Sequence, residues 1–209
     1  MNFDKYYSSR PIFFGVEQSD GLTKFLKDYN VSECTAIDIG AGEGRNSFYL
    51  ANQGYKVIAI EPSIIGAKKI ELETIKNKYD IKVINDDFLK ASLPVSEVKL
   101  IVAITSLDHM EYEYLCNAII KIKQLLSPSG YVYIVVFTQD DPGFKKESPK
   151  LQSECSDLVK HYFDKNELKG FFSDFEILYY SEYLKEDNTH GKHHLHGKAK
   201  LFARKRVGK

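Results

Sequence analysis

Hydrophobic positions along this chain switch between two periodicities. Leu22, Phe25, Leu26 and Tyr29 recur at helical spacing, which predicts an amphipathic helix over residues 18–30. TAIDIG follows, a short apolar run closed by glycine, and reads as a buried strand. RNSFYLANQG returns to helical spacing and ends at Gly54. KVIAI is a second buried strand that stops at Glu61. Pro62 and Ser63 open the next helix, whose apolar face is predicted to carry Ile64, Leu72, Ile75 and Tyr79. IKVIN and KLIVAIT supply a third and a fourth strand, the fourth apolar on both faces as a central parallel strand must be. Leu115, Ala118, Ile119, Ile122, Leu125 and Leu126 form a helical stripe cut by Ser127-Pro128-Ser129-Gly130, and YVYIVVF is the fifth strand.

Strands that alternate with helices need crossover connections, so the pattern predicts an α/β, Rossmann-like, doubly wound and mostly parallel sheet. The remainder breaks the alternation. Residues 138–163 are polar, with DDPG and a lone Pro149, and read as a loop or lid. Asp164 and Glu167 fit a capping-box-like start of a short helix. FEILYYSEYL and AKLFARK have no helix between them, only a His-rich connection, so they are expected to pair antiparallel at the sheet edge. The sum is a seven-stranded sheet with an antiparallel C-terminal edge strand, in a single domain over residues 1–209.

Composition narrows the partners. Lys+Arg and Asp+Glu both number 29, so no global field gathers the chain onto nucleic acid or anionic membrane. Cys34, Cys116 and Cys155 are widely spaced and form no CxxC, which argues against a disulfide framework or a zinc ribbon. MNFDKYYSSR lacks the apolar core of a signal peptide, and no apolar run is long enough to span a bilayer. A cytoplasmic protein, monomer or homodimer, with a small-molecule partner is the expectation.

The chemistry concentrates where strands end. Asp38-Ile39-Gly40-Ala41-Gly42-Glu43-Gly44 follows the first strand and precedes a helix, so the backbone turns tightly and a ligand can approach it. Glu61 ends the second strand about twenty residues later, where an acid accepts hydrogen bonds from both ribose hydroxyls of a nucleoside. Each such charge-assisted bond is worth roughly 1.5–3 kcal/mol. Asp86-Asp87-Phe88 follows the third strand, where one carboxylate, not decided between the two, meets an adenine amino group. Thr105-Ser106-Leu107-Asp108-His109-Met110 follows the fourth. A nicotinamide dinucleotide would want GxGxxG so that a helix N-terminus meets its pyrophosphate. Arg45 stands at the third glycine's position, which disfavours an oxidoreductase.

As a set these residues resemble the class I S-adenosylmethionine-dependent methyltransferases over residues 34–137. DIGAGEG resembles the family's first motif, Glu61 its ribose acid, the LDH stretch its LEH, and LLSPSGY its LKPGG turn. Lys99, taken to precede the fourth strand, departs from the acid many members carry. GEGRNSFYLANQGYKV and the ending HGKHHLHGKAKLFARK are similar to the tellurite-resistance (TehB-type) and thiopurine-methyltransferase-like branch. The resemblance implies S-adenosylmethionine as donor, S-adenosylhomocysteine as product, and a donor site of Asp38, Gly40, Ala41, Gly42, Asn46, Glu61, Pro62, Asp86, Asp87, Phe88 and Thr105. Residues 34–137 then form the donor-binding core and 138–209 the acceptor side. Residues 1–33 hold the first helix and FDKYYSSRPIFFG, a candidate lid over the donor, with plain burial of Phe13 and Phe14 as its alternative.

Methyl transfer from a sulfonium needs alignment and exclusion of water, and neither a metal nor a covalent intermediate. A thiol or a tellurium or selenium oxyanion is the acceptor class the resemblance suggests. An alcohol or amine would benefit from a base. His109 sits where the methyl group would lie. His194 and His196 share a face if extended, as a base, an oxyanion binder or a metal site, whereas a solvated hairpin tip is the alternative for the whole His190–His196 cluster. A non-catalytic nucleoside-binding module is the remaining reading.

Overall fold

The computed structural model describes residues 3–19, 21–31, 34–95, 98–145, 151–188 and 192–207. Two short helices come first, α1 (Asp4–Ser9) and α2 (Leu22–Asp28). The alternation then begins: β1 (Thr35–Ile39), α3 (Arg45–Asn52), β2 (Lys56–Ile60), α4 (Ile64–Asn77), β3 (Ile81–Ile84), β4 (Val98–Ile104), α5 (Tyr112–Leu125) and β5 (Leu126–Phe137). Two further short helices, α6 (Pro142–Lys145) and α7 (Glu167–Phe171), lead to β6 (Glu176–Asp187) and β7 (His194–Arg204).

The seven strands lie in the order β3-β2-β1-β4-β5-β7-β6. β7 runs antiparallel to both β5 and β6, so the expected antiparallel pair closes the sheet and β6 takes the edge. The order reverses between β1 and β4, and that reversal opens a crevice beyond their carboxyl ends. β4 is buried on both faces. Leu100 and Val102 pack with Leu22, Phe25 and Leu50 from α2 and α3, whereas Ile101 and Ala103 pack with Leu115, Ile119 and Ile122 from α5.

Three local expectations are corrected. The face of α4 that meets the protein carries Gly66, Ala67 and Ile70, while Ile64, Leu72 and Ile75 are 48%, 69% and 75% exposed. The helix lies so close to the glycine loop that a Cβ on Gly66 would stand 2.6 Å from the Gly42 carbonyl, so small residues occupy the contact and the large ones turn outward. Leu126 opens β5 opposite Val98 instead of closing the α5 stripe. Lys99 lies inside β4, not before it, and its ammonium donates to the Pro128 carbonyl at 3.2 Å. The capping pair at α7 is present in one direction, with the Asp164 N–H donating to Glu167 Oε2 at 2.8 Å. The expected loop at 138–163 contains α6, a single 3-10 turn at Ser156–Leu158 and a parallel bridge from Thr138 to Phe163. Pro149 lies outside the described residues.

Candidate functional site

At the end of β1 the chain turns through a loop in which Gly40 and Gly42 have φ of +66° and +63°. The turn presses against the end of β4: a Cβ at position 40 would lie 2.5 Å from the Ser106 Cβ. The Gly40 and Ala41 N–H groups both donate to the Ile60 carbonyl, at 2.9 and 3.0 Å, which fixes the loop to β2. Asp38 sits beneath, buried, and accepts from Ser47 Oγ at 2.6 Å. Burial pushes its carboxyl up to about 6, against the pull of the Ser47 hydrogen bond.

Glu61 joins the loop to the next helix. Its Oε2 accepts from the Gly42 N–H at 2.7 Å and its Oε1 from the Ser63 N–H at 2.8 Å. Ser63 in turn caps α4 by accepting from the Gly66 N–H at 3.1 Å. Burial pushes the Glu61 carboxyl up to about 7, with those two N–H donors opposing the shift. Glu61 thus anchors two backbone groups, a role that the sequence reading, which gave it only ribose hydroxyls, did not assign.

The N-terminal segment is strapped across this loop. Glu43 Oε2 accepts from the Phe13 and Phe14 N–H groups at 2.7 and 3.0 Å, and Oε1 pairs with Lys69 at 2.7 Å. Lys69 also donates to the Tyr7 and Arg10 carbonyls, and Arg45 donates to the Phe14 carbonyl at 2.9 Å. Phe13 is buried at 2% exposure, while Phe14 lines the cavity. The Asn46 carboxamide oxygen accepts from the Ser19 N–H at 2.9 Å.

Two adjoining cavities meet over the ends of β1 and β4 and share Phe3, Tyr7, Gly40, Thr105 and His109. The first adds Glu61, Pro62, Asp87 and Phe88. The second adds Ala41, Gly42, Arg45 and Asn46 on one side and Asp141, Asp187, His196 and Lys198 on the other. Thr105 stands between them with φ of +48°, an unusual conformation for a β-branched residue and one that turns the chain at the end of β4. The His109 Nδ1 lies 2.9 Å from the Leu158 carbonyl, so it carries a proton, and in the neutral ring Nε2 is the acceptor. Its ring packs edge-on against Phe3, 4.9 Å between centroids. Beneath it, Asp108 is fully buried; Oδ2 accepts from the Phe137 N–H at 3.2 Å, and Oδ1 has no hydrogen-bond partner among the described residues. Burial raises its carboxyl above the usual range.

The far wall is built on β7, which starts earlier than the AKLFARK run indicates. His194, His196 and Lys198 alternate with Leu195 and Gly197, so all three fall on one face. His194 and His196 are 1% and 3% exposed, which rules out a solvated tip for both. Their Nε2 atoms lie 3.0 Å apart, and His196 Nδ1 is 3.0 Å from Asp141 Oδ2. His193 is exposed and lies 3.5 Å from Glu186, while His190 falls outside the described residues. Lys198 is half-buried with its Nζ 5.5 Å from the Phe137 ring centre, and desolvation lowers its ammonium to about 8, against the raising effect of Asp187.

The structure therefore brings Gly40, Ala41, Gly42, Asn46, Glu61, Pro62, Asp87, Phe88, Thr105, His109 and His196 to one pair of cavities. Asp38 and Asp86 line neither; Asp86 accepts from the Asp87 N–H at 2.7 Å and so shapes the turn. His194 does not line the cavity itself but sits behind His196 and Asp187, which do. The sequence reading placed Tyr7 only within the candidate lid segment and did not single out Asp141, Asp187 or Lys198. Lys198 alone had a visible cue, the two-residue spacing from His196.

Comparison with known proteins now decides the family. The model of the "Tellurite resistance protein TehB" family matches residues 26–197. This chain belongs to the TehB family. A curated relative from Haemophilus influenzae, named probable S-adenosyl-L-methionine-dependent methyltransferase TehB, is 27% identical over 158 residues, 75% of this chain and 51% of the relative. The chain thus spans about half the length of that relative. The crystal structure of TehB from Haemophilus influenzae superposes with a TM-score of 0.74 at 23% identity, covering 98% of this chain and 66% of that one. The [4+2]-cyclase SpnF superposes with a TM-score of 0.68 at 17% identity, covering 97% and 90%. A cyclase on the same fold means that the chemistry must be argued from the site.

Proposed function

We propose that this TehB-family chain transfers a methyl group from S-adenosylmethionine to a small anionic acceptor, a thiolate or a tellurium or selenium oxyanion. The observation that carries the reading is the continuity of the two cavities, from Glu61 and the glycine loop, past Thr105, to His196 and Lys198. The residues present fit the donor. The loop leaves no room for a side chain at Gly40, and the Ser106 hydroxyl, which lines the Glu61 side, is buried with no hydrogen-bond partner among the described residues. A nicotinamide dinucleotide fits less well, because the Arg45 side chain fills the third glycine's place and is tied to Phe14.

The donor supplies a methyl group on a positively charged sulfonium, already activated. Glu61 keeps lone pairs for ribose hydroxyls beyond those used by Gly42 and Ser63, since each carboxylate oxygen accepts more than once. Asp87 and Phe88 flank the adenine end. The strap of Phe3, Tyr7 and Phe14 covers the loop and excludes water. Lys198 and Arg45 offer positive charge to an anionic acceptor, and His109 Nε2 stands as an acceptor between the two cavities. Holding two reactants in line in this way lowers a barrier by roughly 7–11 kcal/mol. The test is a screen with methyl-labelled donor against thiols, tellurite, selenite, amines and carboxylates. Labelled thioether or methylated chalcogen is the expected product. Absence of calorimetric binding of S-adenosylhomocysteine would end the reading.

A further inference from the structure

We propose that Asp187, His194 and His196 bind a divalent first-row metal ion, with zinc the best match, at the acceptor end of the cavity. The β6–β7 register pairs Asp187 directly with His194, and the strand's alternation sets His196 beside it on the same face. One ligand atom from each of the three residues lies within 4.8 Å of the others.

The ring nitrogens identify which atoms are offered. His194 Nδ1 lies 2.6 Å from the Lys192 carbonyl, which can only accept, so this nitrogen carries a proton. His196 Nδ1 faces Asp141 Oδ2 at 3.0 Å, and that carboxylate also accepts from the Gly143 and Gly197 N–H groups at 2.7 and 3.1 Å. Such an acceptor fixes the proton on Nδ1 there as well. With both rings neutral, the two Nε2 atoms present lone pairs toward one another at 3.0 Å, an arrangement that a cation between them satisfies. Metal-bound histidines characteristically donate their other N–H to a carboxylate or a backbone carbonyl, and this pair shows one of each. Two nitrogens on one tetrahedral zinc, at bond lengths of about 2.0–2.1 Å, stand about 3.3 Å apart, close to the separation here. Two imidazoles and a carboxylate suit zinc, and three protein ligands leave a fourth position open. Asp187 and His196 both line the cavity, so the open position faces it. A thiolate or oxyanion would bind there; this last step rests on the methyl-transfer reading, whereas metal binding does not.

The experiment titrates zinc chloride into the full chain after chelator treatment, in competition with a chromophoric chelator. Calorimetry with S-adenosylhomocysteine follows on every sample. One equivalent of zinc per chain is expected for the wild type. Asp187→Asn and His196→Ala should lose stoichiometric binding, and Asp141→Ala, which removes the outer partner, should weaken it about 10–100-fold. Asp187→Asn keeps the shape of a half-buried side chain at a strand end and decides the matter if the histidine variant fails to fold. No stoichiometric zinc in the wild type, or equal binding in Asp187→Asn, overturns the site. Zinc bound without S-adenosylhomocysteine keeps the metal site and removes the methyl-transfer reading; the reverse result removes the metal site alone.

Discussion

Replacing Glu61 by Gln tests the donor site through its pH dependence. Burial lifts the Glu61 carboxyl from 4.5 to about 7, whereas in the unfolded chain it titrates near the ordinary value. Between those two values the folded protein holds a proton that the unfolded chain has released. Stability contributed by this group is therefore full below about 4.5 and is lost as pH rises to about 7. The whole lift corresponds to about 3 kcal/mol, at 1.36 kcal/mol per pKa unit. Glu61→Gln should remove that slope from the stability profile. It should also loosen the Gly42–Ser63 anchor, because the two N–H groups bond to different carboxylate oxygens and the amide NH2 that replaces one of them cannot accept.

Donor binding carries the opposite sign. Ribose hydroxyls donate to the ionised carboxylate, so binding favours the form that exists above about 7. Affinity for S-adenosylhomocysteine should fall up to tenfold per pH unit below that point, and binding near neutrality should release a proton. Glu61→Gln should bind about 1.5–3 kcal/mol more weakly at pH 8, the value of one hydrogen bond to a charged group, and should lose the extra slope. Calorimetry in two buffers of different ionisation enthalpy measures affinity and proton release together. Equal pH slopes in wild type and Glu61→Gln would refute the assignment of Glu61 to the ribose.

Three other outcomes follow from the packing. Glu43→Ala takes from the Phe13 and Phe14 N–H groups the carboxylate they share, so the strap should loosen by about 2–3 kcal/mol and chymotryptic cleavage after Phe14 should quicken; an unchanged rate means that other contacts hold the strap. Asp87→Asn should weaken donor binding by about 1–2 kcal/mol, whereas Asp86→Asn should leave it nearly unchanged, because only Asp87 lines the cavity; equal effects in calorimetry would contradict that division. Ile70→Ala should cost about 2–5 kcal/mol in denaturant unfolding, and Ile75→Lys less than about 0.5, the reverse of what the apolar stripe on α4 suggests.

Much of the fold was legible because each βα unit declares itself locally. TAIDIG, KVIAI and KLIVAIT are apolar runs ended by turn residues, and the glycine loop and Glu61 fall at strand ends whatever the details of packing. The glycine-loop side of the candidate site follows from those strand ends alone. What escaped depends on contacts distant in sequence. The face of α4 was misread because close approach to the glycine loop, not bulk, selects Gly66 and Ala67 for the contact. α1 is only six residues long, DKYYSS, too short to show a period, and it is held by Ser63 and Lys69 some sixty positions away.

What the sequence reading did not see was that the candidate acceptor-side histidines stand on a strand, because a single residue disguises its start. Gly197 interrupts HLHGKAKLF in the manner of a turn, so the last strand seemed to begin at Ala199 and the histidines to lie in the connection. In the structure Gly197 is inside β7, paired with Leu184. Its missing side chain is a matter of space, since a Cβ there would stand 2.3 Å from the Asp141 backbone nitrogen. That close approach lets Asp141 accept from both the Gly197 N–H and His196 Nδ1. The residue that disguises the strand is thus the one that admits the histidine's carboxylate partner. An isolated glycine flanked by alternating His and Lys at a sheet end is better read as a bulk-free contact within a strand, and with that reading His194, His196 and Lys198 already share a face in the sequence.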